Sequence, residues 1–244
     1  MLTTTLTWVQ CIGLWHHLGS AKPSKRQVFS EPGESKLRVL FVHGMGRTPM
    51  SSWPMLRRLR RSGLLTEVFG YVAALEVFDV IVARLITRIE ALAGQGRYIV
   101  VGHSLGGVML RAALNRMDPN IRRPEHLYLL GSPIVPARLA VRLKHNVLYR
   151  LLTGDCGQLL ASAERMHAIG PVAVPTTAIA GVRGIASPHG PFARDANDGV
   201  VAVSEVSADW LLRLTEVPVL HTFLPSNRKI AEIILDETTA ATGS

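Results

Sequence analysis

Cysteine is nearly absent from this chain: Cys11 and Cys156 are the only two in 244 residues. Two thiols make no disulfide framework, and no Cys-x-x-Cys pair offers zinc a site. Aromatic residues are 6% of the chain, too few for the stacking platforms that hold single-stranded nucleic acid. Lysine is scarce beside arginine, and the bases are scattered apart from Arg57, Arg58, Arg60 and Arg61. Those four alternate with Leu56 and Leu59 at helical spacing, the pattern of a solvated helix face. The net charge of +9 therefore admits an acidic partner without pointing to nucleic acid. No apolar run reaches the roughly 20 residues that span a bilayer. No His-Glu-x-x-His pair occurs, and Asp-Ala-Asn-Asp-Gly at 195–199 misses the calcium-loop spacing by one residue, with Val206 at its twelfth position. Neither a metal nor a cofactor is expected.

The amino-terminal residues lack the basic start of a secretion signal, and Gln10, His16 and His17 interrupt their apolar stretch. Read as a helix, Trp8, Cys11, Ile12, Trp15 and Leu18 share one broad face. Packing on the domain's own surface, contact with a membrane interface or partner through residues 2–18, and a weak signal peptide all stay open. Residues 21–35 are polar and rich in Pro, Ser and charge, as a linker is. A cytoplasmic setting is expected, membrane-peripheral if residues 2–18 engage an interface.

What is present is an alternation. Lys-Leu-Arg-Val-Leu-Phe-Val at 36–42 is a short apolar run ending at His43-Gly44, the signature of a buried strand. Further strands are expected at 67–76, 98–102, 126–133, 176–184 and 217–223, with helices near 54–61, 78–93, 105–117 and 225–237. Strands separated by helices of this length imply a doubly wound, mostly parallel sheet covered on both faces. One α/β domain over residues 36–237 is expected, with a disordered tail at 238–244. Residues 134–170 interrupt the alternation with a helical stretch placed to act as a lid.

Gly102-His103-Ser104-Leu105-Gly106 fits G-x-S-x-G, with a strand before it and a helix after it. A phosphate loop would need Lys-Ser/Thr to follow, and a dinucleotide loop would need glycine at 104. In the elbow geometry the serine hydroxyl stands above the sheet and the glycines clear its surroundings. A serine is a poor nucleophile without a base, and the base needs an orienting acid. Asp198, in Asn197-Asp198-Gly199, and His221, at the end of the last expected strand, follow Ser104 in the order such hydrolases use. Asp195 and Asp155 are the competing acids and His189 the competing base. His126 reads as a strand-edge residue, while His145 and His167 fall in the lid-like stretch.

Val100–Gly107, Asn197–Val201 and His221-Thr222-Phe223-Leu224 together resemble the lipase/esterase branch of the α/β-hydrolase superfamily. His43-Gly44 strengthens the resemblance, because that branch places its oxyanion loop there. It implies an α/β-hydrolase fold, with Ser104 as nucleophile, Asp198 as acid and His221 as base. It also implies an oxyanion hole from the backbone N–H groups of Met45 and Leu105, supported by His43, Gly44, His103, Gly102 and Gly106. Many relatives carry Gly-Thr-Pro-His after the following strand, where this chain reads Gly131-Ser132-Pro133-Ile134. The implied activity is hydrolysis of small or lipid-like carboxylic esters. Thioesterase, amidase and acyltransferase chemistry use the same triad, and a non-catalytic binding protein on this fold is a further alternative.

Overall fold

Val39 and Phe41 face one side of the central sheet and Leu40 and Val42 the other, all four without solvent exposure. A strand apolar on both faces must be covered on both, and that requirement organises the molecule. The computed structural model describes residues 36–240; the expectations for residues 2–18, for the linker 21–35 and for the last four residues lie outside the described residues.

Six strands run in order of sequence: β1 Arg38–Val42, β2 Leu65–Phe69, β3 Tyr98–His103, β4 Leu127–Leu130, β5 Thr176–Gly181 and β6 Arg213–Val217. They form one sheet in the order β2-β1-β3-β4-β5-β6, and every pairing is parallel. The central strands β3, β4 and β5 are buried throughout, while the edges β2 and β6 (Leu-Thr-Glu-Val-Phe and Arg-Leu-Thr-Glu-Val) mix polar and apolar residues.

Helices α2 (Phe78–Ala93) and α3 (Leu105–Arg116) cover one face, burying Ile81, Leu85, Ile89, Val108 and Leu110 against Leu40, Val42 and Val100. Helices α1 (Trp53–Arg61) and α8 (Arg228–Ala240) cover the other, burying Met55, Leu59, Ile230 and Ile234 against Val39, Phe41 and Val101. Full burial of each such side chain contributes about 1.5–3 kcal/mol. Between β4 and β5, α4 (Arg138–Leu143), α5 (Val147–Ala161) and α6 (Ala163–Ile169) fill the region expected to be helical, and the short α7 (Val203–Val206) precedes β6.

Several boundaries differ from the sequence expectation: β4 is residues 127–130, not 126–133, and β5 is residues 176–181, not 176–184. The second strand is residues 65–69, not 67–76, because exposed Leu65 and half-buried Thr66 suit an edge that an apolar-run reading passes over. The last strand is residues 213–217, not 217–223. Pro218 cannot donate to a ladder, so pairing stops there and His221–Ser226 forms a 3-10 turn. His221 therefore opens a turn and does not end a strand. The final helix continues to Ala240, three residues into the expected tail, because Thr238 extends the buried Ile230–Ile234 stripe and its hydroxyl donates to the Ile234 carbonyl at 2.9 Å.

Candidate active site

Ser104 joins β3 to α3 with φ 53° and ψ −123°. Among the described residues only one other non-glycine residue, Ala193, has positive φ. Such a conformation costs on the order of 1–3 kcal/mol and persists only where the surroundings enforce it. Here they do. The Ser104 N–H donates to the Leu130 carbonyl at 2.9 Å, and the Ser132 hydroxyl donates to the Ser104 carbonyl at 2.6 Å. A Cβ on Gly106 would lie 2.5 Å from the His43 carbonyl oxygen and closer still to that of Val42, so the helix starts in backbone contact with the end of β1. A Cβ on Gly44 would lie 3.0 Å from Ser104 Cβ, which places the loop carrying His43, Gly44 and Met45 directly beside the serine. Gly102 is held equally close to the backbone of Gly107.

The N–H groups of Met45 and Leu105 have no acceptor among the described residues. Leu105 is the first residue of a 12-residue helix, where unpaired N–H groups and the helix dipole favour negative charge.

Asp198 and His221 meet at the carboxyl end of the sheet. Asp198 Oδ2 lies 2.7 Å from His221 Nδ1, and the His221 N–H donates to the Asp198 carbonyl at 3.0 Å. The second carboxylate oxygen accepts the N–H groups of Val200 at 2.9 Å and Val201 at 2.7 Å. The aspartate is thus held on both oxygens before it orients anything. A carboxylate only accepts, so the imidazole proton sits on Nδ1, leaving Nε2 free to take one. Both residues are buried, His221 at 8% and Asp198 at 2% exposure. Gly131, at the end of β4 with φ 53°, passes so near that a Cβ there would lie 3.0 Å from both Asp198 Oδ2 and His221 Nδ1.

His103 links the histidine turn to the elbow. Its Nε2 donates to the His221 carbonyl at 3.1 Å, and the two rings are 4.7 Å apart. Burial, then the neighbouring His221, push its pKa well below the ordinary 6.5, so the ring is neutral. Its Nδ1 is buried with no partner. His43 is stacked on Tyr71 at 4.3 Å with rings nearly parallel, and Tyr71 donates its hydroxyl to the His43 carbonyl at 2.7 Å. Burial lowers the His43 pKa as well. Ser104 Oγ itself makes no hydrogen bond to the His221 ring among the described residues; such contacts often tighten only when substrate binds.

The competing acids are occupied elsewhere. Asp195 pairs with Arg138 at 2.6 Å, and Asp155 pairs with Arg165 at 2.7 Å while accepting the Phe78 N–H at the start of α2. His126 bonds the Thr177 hydroxyl, and the rings of His145, His167 and His189 make no hydrogen bond among the described residues. No group of three or more His, Cys, Asp or Glu side chains gathers to hold a metal ion among the described residues.

Four residues to which the sequence reading gave no role in the site shape it. Ser132 holds the elbow's carbonyl, and Gly131 makes room for the Asp198–His221 pair. Tyr71 steadies the His43 loop, and Glu205 accepts the Ala202 and Arg138 N–H groups, tying the segment after Asp198 to α4. Desolvation raises the Glu205 pKa. Strand order carries the one available signal: β4 neighbours β3, so residues just past β4 must lie beside those just past β3.

No protein-family model matches the sequence, and no curated protein matches it either. Solved structures do match. A mature-form lipase from Bacillus licheniformis superposes with TM-score 0.64 at 16% identity, over 87% of this chain and 95% of that one. A thioesterase of prodiginine biosynthesis from Streptomyces coelicolor gives 0.56 at 19% identity, over 89% and 96%. A metagenome-derived lipolytic enzyme gives 0.60 at 15% identity, over 84% and 93%. The chain has the α/β-hydrolase fold. Within that α/β-hydrolase frame, Ser104, Asp198 and His221 stand after β3, β5 and β6. No helix among the described residues is long and apolar enough to cross a membrane.

Proposed function

We propose that this protein is a serine hydrolase that cleaves carboxylic esters through an acyl-enzyme intermediate. The observation that carries the reading is the buried Asp198–His221 hydrogen bond, 2.7 Å long, beside a serine held at positive φ. A paired acid and base next to a strained serine is costly to build for packing alone.

In this reading His221 Nε2 takes the Ser104 hydroxyl proton as Oγ attacks the ester carbonyl. The carbonyl electron pair moves onto oxygen, which the Met45 and Leu105 N–H groups receive; one such donor is typically worth about 3 kcal/mol. Collapse of the tetrahedral intermediate expels the alcohol, protonated by His221, and leaves an acylated Ser104. Water, deprotonated by the same imidazole, repeats the sequence and releases the acid. Asp198 holds the Nδ1–H tautomer throughout and is not itself protonated.

The triad does not choose its leaving group, and the match to a thioesterase structure favours thioesters as the second substrate class to test. The decisive experiment labels the protein with a fluorophosphonate and measures hydrolysis of nitrophenyl esters from acetyl to palmitoyl, beside an acyl thioester. Labelling and turnover are expected in the wild type and lost in Ser104→Ala. Wild-type rates from the alanine variant would end the proposal.

A further inference from the structure

Many of the large exposed apolar side chains among the described residues lie on connections that leave one edge of the sheet. All six strands are parallel, so their carboxyl ends share one edge of the sheet, and the connections leaving that edge carry Leu75 after β2, Ile185 after β5 and Phe223 after β6, at 84%, 84% and 54% exposure. Helix α5 belongs to the same end. Gly154, at φ 56°, brings that helix's backbone against the Ala73 and Ala74 carbonyls of the loop that presents Leu75. Before this kink, Val147, Leu148, Leu151 and Leu152 form an i, i+1, i+4, i+5 stripe that is 63–70% exposed. The opposite side of α5, Thr153 and Cys156, is buried. Helix α5 therefore packs on one face and leaves an apolar stripe in solvent on the other.

Charge distinguishes this stripe from an ordinary apolar patch. Residues 141–152 hold Arg142, Lys144, His145 and Arg150 and no acidic residue. The three permanent cations have no ion-pair partner among the described residues. Asp155, which shares a depression with Arg150, is already engaged with Arg165. An open depression of about 420 Å³ on the helix is lined by Arg150 beside Val147 and Leu151, with Gly154, Gln158 and Asp155, whose carboxylate is paired with Arg165, so cation and apolar surface are contiguous. Apolar side chains of α5 with Arg150 on the same helix, and Arg142 and Lys144 at the end of α4 just before it, suit the boundary between acyl chains and anionic headgroups.

We infer that the α4–α5 turn and the first half of α5 dock this protein on an anionic phospholipid surface. Val147, Leu148 and Leu151 enter the acyl boundary, while Arg142, Lys144 and Arg150 meet the phosphates. This goes beyond ester hydrolysis and does not depend on it. Two other occupants fit less well. Residues 1–30 contain no acidic side chain to complement the cations. A second copy across a two-fold axis would set the same cations against one another.

The test is sedimentation of the full-length protein with vesicles of phosphatidylcholine alone and of phosphatidylcholine with roughly one-third phosphatidylglycerol. The wild type is expected to bind the anionic vesicles at least about tenfold more tightly, and less so at high salt. Leu148→Glu/Leu151→Glu and Arg142→Gln/Lys144→Gln/Arg150→Gln should each lose most of that binding. Leu212→Glu, at an exposed apolar residue before β6 on the opposite edge, should keep it. Circular dichroism of every variant checks folding, which these exposed positions should leave unchanged. Absence of wild-type binding, or binding retained by both multiple variants, overturns the proposal. So does a concentration-dependent dimer that the Glu variant dissolves while vesicles go unbound. Fluorophosphonate labelling of Ser104 reads the hydrolase proposal separately, so failure of either leaves the other standing.

Discussion

Asp198 touches His221 through one carboxylate oxygen, at 2.7 Å, while its other oxygen receives the N–H groups of Val200 and Val201 at 2.9 and 2.7 Å. One side chain thus orients the imidazole and folds its own loop, and two substitutions separate these tasks. Asp198→Asn keeps an acceptor for the loop but favours the wrong histidine tautomer. It is expected to lower kcat on the order of 1,000- to 10,000-fold with the melting temperature nearly unchanged. Asp198→Ala should lose activity similarly and also destabilise the fold by about 1–3 kcal/mol, because a buried N–H is left without an acceptor. Ester kinetics and urea denaturation of the two variants check this; equal stability would contradict the second task.

Ser104 holds a strained backbone at φ 53°. Glycine tolerates φ 53° without a Cβ penalty, and alanine does not. Ser104→Gly should therefore be more stable than Ser104→Ala by about 1 kcal/mol, with both expected to lack the proposed activity. Denaturant midpoints of the two proteins decide it.

Ser132 reaches across from the end of β4 to donate to the Ser104 carbonyl at 2.6 Å. Ser132→Ala leaves that carbonyl short of a donor, at a cost of about 1 kcal/mol in stability. As a positioning residue it should lower kcat by roughly tenfold with little change in KM, because the elbow and not the substrate loses its support. A change confined to KM would place Ser132 at the substrate instead.

His103, His43 and His126 are each held below their ordinary 6.5, by desolvation first in every case. Below about pH 6.5 the unfolded chain takes up protons on these rings and the folded protein does not. Stability should then fall as pH falls, by up to about 1.4 kcal/mol per pH unit for each histidine, until the folded rings themselves titrate. Above about pH 6.5 both states hold them neutral and the dependence vanishes. His103→Gln, which keeps a donor for the His221 carbonyl, should flatten the acid slope by about one proton. Urea denaturation near pH 7.5 and pH 5.5 measures it.

The sequence by itself determined the layer architecture. Runs such as Val39–Val42 and Ile99–Val101, apolar on both faces and separated by amphipathic helices, have no stable solution but a covered parallel sheet. It also determined the elbow, since glycines at 102, 106 and 107 around a serine answer a steric demand that is local to the chain. The edge strands were less legible, because β2 and β6 are half-solvated and their residues carry no strong burial pattern. What only the tertiary structure decided are contacts between segments far apart in sequence. Asp198 bonds His221, while Arg138, 57 residues away from Asp195, occupies that other carboxylate. Ser132 and Gly131 became part of the site because β4 pairs with β3, and Tyr71 because it stacks on His43. Gly-His-Ser-Leu-Gly-Gly specifies a strained turn by local sterics; the pairing of Asp198 with His221 at the same end of the sheet follows from strand order and loop packing, which act between residues that no local pattern connects.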